Sequence, residues 1–93
     1  MYVVKNNMRQ NAGSKFVDAL SSATSYASYD DAKTAAGLLA DIVGRTISRV
    51  KYNMENGALS PKVTVERILG KFVVGDDAET VAEFSVKPQG VNL

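Results

Sequence analysis

Residues 28–52 read SYDDAKTAAGLLADIVGRTISRVKY, and the point at which this stretch stops being a helix decides the fold. Ser28 suits an N-cap, because its hydroxyl can accept from a free amide of the first turn. Asp30 and Asp31 follow in that turn, where the positive end of the helix dipole favours carboxylates. Ala32, Ala35, Ala36, Leu39 and Val43 then mark one apolar face. That face is mostly alanine, and small residues let a helix lie close on a sheet. Gly44 fits the left-handed residue that ends many helices. Beyond it the chain alternates, with Arg45, Ile47, Arg49 and Lys51 on one side and Thr46, Ser48, Val50 and Tyr52 on the other. The spacing therefore predicts a helix over 29–43, a stop at Gly44 and a strand over 45–52. The alternative is one helix over 29–55. Val43, Ile47, Val50 and Met54 continue the stripe, Asn56-Gly57 would cap it, and an internal glycine costs about 1 kcal/mol against alanine.

The flanking sequence favours strands. Tyr2-Val3-Val4-Lys5 is β-prone and ends at Asn6-Asn7, a turn signal. Residues 6–14 read as a loop, and a short strand is expected at 15–18. Residues 55–61 read as a loop before Pro61. Residues 62–68 are rich in β-branched side chains, although Ser60-Pro61 equally suits a helix start. Gly70 interrupts the run, Lys71 to Val74 resumes it, and Gly75-Asp76-Asp77 signals a turn. Residues 80–87 alternate and stop at Pro88, and the last five residues are expected to fray. The order β, β, α, β, then an antiparallel β pair, is α+β: a small, mostly antiparallel sheet with one main helix on a face. An all-α arrangement is the alternative.

Ninety-three residues make one domain, 1–93, with ordinary globular composition: 45% apolar and 23% charged. There is no Cys, no His and no Trp. That excludes a disulfide scaffold, a Cys/His zinc site, a thiolate nucleophile and any Ser-His or Cys-His relay. The opening residues lack the basic start and apolar stretch of a signal peptide, and the longest apolar run, 35–43, contains Asp41 and is too short to span a bilayer. A soluble, cytoplasmic protein is expected. The net charge of +1 hides alternation in sign. Residues 1–27 and 45–75 are basic, while 28–44 and 76–93 are acidic. That pattern lacks the basic excess of a DNA-coating protein and suits a protein partner or self-association.

Tyr2-Val3-Val4-Lys5, then Phe16-Val17, Ala23-x-x-Tyr26-x-Ser28-Tyr29-x-x-Ala32, Gly44 and Val50-Lys51-Tyr52 together resemble a pattern in small accessory proteins of phages and prophages. The resemblance covers the N-terminal half, about residues 2–52, and carries no catalytic motif. It implies a context: a class that includes inhibitors of host enzymes and host defences.

Several groups of residues invite a chemical reading. Asp30-Asp31 is read as helix capping, and Asp76, Asp77, Glu79 and Glu83 as a solvated acidic face whose spacing does not match a calcium loop. Arg45, Arg49 and Lys51 would share a strand face and, with Arg67 and Lys71 on a neighbour, form a basic stripe, with Tyr52 and Phe72 for base stacking. Tyr26 and Tyr29 flank the helix start, where tyrosines can anchor an interface. The candidate partner-binding residues are therefore Tyr26, Tyr29, Arg45, Arg49 and Lys51. The expected function is that of a small non-enzymatic binding module, a phage-type accessory protein or inhibitor acting on a host protein. The alternative is a nucleic-acid- or nucleotide-binding protein, with a homo-oligomer compatible with either. No cofactor, metal or membrane contact is expected. An enzyme is disfavoured, because acid–base work would fall to Asp, Glu, Lys or Tyr and no two of these stand in a recognisable arrangement.

Overall fold

The computed structural model describes residues 1–8, 25–55 and 57–90. The elements are β1 (Tyr2–Met8), β2 (Ser25–Tyr26), α1 (Tyr29–Tyr52), β3 (Val63–Ile68), β4 (Lys71–Asp76) and β5 (Glu79–Pro88). The strands form one sheet in the order β2-β1-β5-β4-β3, and every neighbouring pair is antiparallel. Among the described residues one helix, α1, packs on one face of it. The architecture is the expected α+β class, not the all-α alternative.

The helix does not stop at Gly44. It runs 24 residues to Tyr52 and is capped by Asn53 at φ 55, whose amide bonds back to Ser48 O. The expected strand over 45–52 is therefore its C-terminal third. α1 joins β2 on one edge of the sheet to β3 on the other. Those edges are about 19 Å apart, a distance that a helix ending at Gly44 would also span, so the crossing alone does not set the helix length. Packing gives the reason. Ala32, Ala36, Ala40, Gly44 and Ser48 recur every four residues and are all buried, so Gly44 belongs to a ridge of small residues facing the sheet. A Cβ on Gly44 would stand 2.9 Å from Val65 Cγ2 and 3.3 Å from Leu59 Cδ2. A Cβ on Gly37 would likewise stand 3.2 Å from the Phe72 ring. Into the space left by these small residues the sheet projects Phe84 and Val74, both fully buried. Val4, Leu39, Val43, Val63 and Ala82 complete the core.

Other boundaries move for local reasons. Asn6 and Asn7 stay in β1, paired with Phe84 and Glu83 of the ten-residue β5; a long partner strand overrides turn propensity. The β4–β5 turn is Asp77-Ala78, with φ 53 and 67, rather than Gly75-Asp76-Asp77. Gly75 remains in the strand beside a register irregularity, where a Cβ would meet Thr64 Oγ1 at 2.8 Å. The β3–β4 turn is Leu69-Gly70, with φ 52 and 77. Two-residue loops with both central residues at positive φ follow the right-handed twist of a hairpin. The strand expected at 15–18 lies outside the described residues. At the other end, Gln89 N donates to Met1 O at 2.9 Å.

Candidate functional site

A polar cluster joins the end of α1 to the end of β4. Asp76 is buried on the helix side of the sheet and accepts from Lys51 Nζ at 2.7 Å and from Tyr52 Oη at 2.6 Å. Lys51 and Lys62 hold their ammonium groups 5.5 and 5.8 Å from the centre of the Tyr52 ring, within cation–π range. Burial alone would push the Asp76 carboxyl up. The bonds from Lys51 and Tyr52 and the charges of Lys51 and Lys62 outweigh it, so its pKa lies below the ordinary carboxylate value. Lys51 is raised, chiefly by its bond to Asp76. Tyr52 is raised by its bond to Asp76 first and by burial second. All three move away from neutrality, whereas a general acid or base working near pH 7 needs a value brought toward it. The cluster is suited to fastening the helix end to the hairpin.

The sequence-predicted residues do not share one surface. Lys51 is held by Asp76. Arg45 pairs with Asp41 at 2.8 Å, one helical turn away, and also donates to Gly57 O, holding the loop after the helix. Arg49 is exposed and forms no ion pair with another described residue. With 3.6 residues per turn, Arg45 and Arg49 leave the helix about 40° apart, and Lys51 leaves it about 160° from Arg49. Arg67 pairs with Phe72 on the helix side of the sheet, whereas Lys71 pairs with Ile68 and faces the other way. The basic stripe is therefore dispersed. The acidic cluster is dispersed too: Asp76 faces the helix, Asp77 lies in the turn, and Glu83 lies on the open face.

Tyr26 and Tyr29 do meet at a corner, through a residue that the sequence reading passed over. Tyr2 is the strand partner of Tyr26, and its ring meets the Tyr29 ring edge-on with centroids 5.8 Å apart. Tyr26 packs half-buried against the core, while Tyr29 is exposed. This corner fixes the start of the helix, where Ser28 Oγ accepts from Asp31 N at 3.1 Å.

Two further surfaces emerge from the fold. On the open face of the sheet, Lys5, Lys71 and Lys87 surround Ser85 with Asn7 and Glu83, around a shallow hollow of about 220 Å³. Strand alternation carried the signal: Val4, Phe72, Phe84 and Val86 turn toward the helix, so their neighbours turn away. At the β3–β4 tip, Leu69 is 96% exposed beside Ile68, also exposed, with the exposed cations Arg67 and Lys71 on either side. Sequence reading saw only a break at Gly70. Among the described residues no group of three or more acidic side chains converges as a metal site, and no helix is long and apolar enough to cross a membrane. No protein-family model, curated protein or solved structure matches the chain.

Proposed function

We propose that the chain is a small protein-binding module that acts by occupying a surface of another protein, without catalysis. The observation that carries this reading is Leu69. It sits at φ 52 with nearly its whole side chain in solvent. The left-handed conformation disfavours a branched side chain, and a two-residue hairpin prefers Asn or Asp there. A residue that is locally unfavourable both in backbone and in hydration is explained by what it contacts outside the chain. The contact that fits is an apolar pocket rimmed by carboxylates, since Ile68 extends the knob and Arg67 and Lys71 flank it. The resemblance of residues 2–52 to phage accessory proteins points to a host protein as the owner of that pocket.

The test compares the tagged wild-type chain with Leu69→Asn in capture from nuclease-treated host lysate at high salt. One host protein retained stoichiometrically by the wild type and lost by the variant supports the reading. An empty column, or equal retention by both, ends it.

A nucleic-acid reading has one observation in its favour, the lysines around Ser85. Tyr52 and Phe72, the rings that would stack on bases, belong to the helix side instead, and Glu83 sits among the lysines. This reading predicts binding that weakens steeply with salt. Flat fluorescence anisotropy with DNA and RNA at about 50 mM salt removes it.

A further inference from the structure

The outer side of α1, away from the sheet, carries a second unexplained set of apolar residues. Leu38 is 60% exposed and Ile42 is 43% exposed, although both lie in the middle of a helix whose other side supplies the core. Asp31, Leu38, Ile42 and Arg49 all leave the helix within about 40° of one another. The stripe is acidic at its start, apolar at its centre and basic at its end. Asp31 and Arg49 are both exposed, and neither forms an ion pair with another described residue. Asp31 uses only its backbone amide, in the cap with Ser28.

The spacing is symmetric about residue 40. Leu38 and Ile42 stand equally far from it on either side, and so do Asp31 and Arg49. We propose that this stripe is the interface of a two-fold homodimer, in which α1 lies antiparallel to α1 of a second copy. In that arrangement Leu38 meets Ile42 of the second copy at the centre. Asp31 meets Arg49 of the second copy at each end, over about 27 Å of helix. A parallel pairing would set Asp31 against Asp31 and Arg49 against Arg49, so the charges select the antiparallel one. The contact is isologous: the same patch serves both copies and closes at two. A single helix pair is a small interface, so the dimer is weak and depends on concentration. The proposal does not rest on Leu69, which belongs to a different surface. A dimer would display two such tips.

The test is sedimentation velocity of the full chain from low micromolar to hundreds of micromolar, with a thermal melt of every variant as the check on folding. The wild type is expected to shift from monomer to dimer. Leu38→Glu is expected to stay monomeric, with Leu38→Ser as a milder second variant. Asp31→Arg and Arg49→Asp each raise the dissociation constant about tenfold, because two exposed pairs turn from attraction to repulsion. The double variant regains most of the loss, because both pairs re-form with their charges exchanged. A wild type that is monomeric throughout overturns the proposal. So does a dimer indifferent to Leu38, an assembly larger than two, or a folded double variant as weak as the singles.

Discussion

Gly44 of α1 lies so close to Val65 of β3 that a Cβ on the glycine would stand 2.9 Å from Val65 Cγ2. Helix propensity alone would favour alanine there by about 1 kcal/mol. The contact opposes it, because Val65 and Leu59 both crowd the added methyl and overpacking a filled site typically costs about 1–3 kcal/mol. Gly44→Ala is therefore expected to lower stability by up to about 2 kcal/mol net, read by urea unfolding. A more stable variant would show that the helix has room to move off the sheet.

The same glycine marks the limit of what was legible. Locally, a glycine after an apolar stripe reads as a helix stop, and eight alternating residues read as a strand. What overrides both signals is β3, some twenty residues further on, which needs a glycine opposite Val65. The α+β class, the N-cap at Ser28 and the β4–β5 hairpin were legible, because each rests on neighbours in sequence; the β3–β4 hairpin was not, because Gly70 reads equally as an interruption of one strand run. The positions of Arg45 and Lys51 were not, because the face on which a side chain emerges depends on the period of its element, and these eight residues with strand-like alternation lie in the helix. Lys71 was not, because the tight turn at Leu69-Gly70 puts it on a different strand from Arg67 and on the opposite face.

The Asp76 cluster predicts how stability depends on pH. Asp76 has a folded pKa below its unfolded one, so its contribution is present above the unfolded value and is lost as pH falls through the folded value. Lys51 and Tyr52 are both raised, so their contributions are full below their unfolded values and fade as pH rises through the folded ones. The stability curve is expected to be flat through neutrality and to fall at both ends. Asp76→Asn should lower the plateau and flatten both limbs. Unfolding midpoints measured from about pH 2 to pH 11 check this, and an unchanged acid limb in the variant would assign that limb to other carboxylates.

The two hairpin turns predict stabilising substitutions. Leu69 and Ala78 both hold positive φ, at 52 and 67, which costs a residue with a Cβ roughly 1–2 kcal/mol. Ala78→Gly relieves that cost but loosens the unfolded chain, leaving a gain of about 0.5–1 kcal/mol. Leu69→Asn is expected to gain a similar amount. The informative result is the contrast: Leu69→Asn should raise the melting temperature while abolishing partner capture, whereas Ala78→Gly should raise it and leave capture intact. A Leu69→Asn chain that loses both stability and capture would make Leu69 a structural residue.

Ser48 closes the helix-to-β3 connection from inside. It is fully buried; its hydroxyl donates to Gly44 O at 2.9 Å and accepts from Ser60 N at 2.9 Å. Ser60 in turn accepts from Val63 N through its carbonyl, at 2.9 Å, where β3 begins. One side chain of α1 thus sets where the loop turns back and the edge strand starts. Ser48→Ala keeps the helix and its small-residue ridge but leaves the Ser60 amide without that acceptor. An unsatisfied buried donor costs about 1–3 kcal/mol, so the expected loss is in that range and larger than for Thr46→Ala, whose hydroxyl only bonds back to Ile42 O on an exposed turn. Amide exchange resolves the mechanism further. The loss in Ser48→Ala should appear first as faster exchange at Ser60 and Val63, with the amides of Val74 and Phe84 following only in global unfolding. Uniform acceleration across the sheet would mean that Ser48 supports the core as a whole rather than the start of β3.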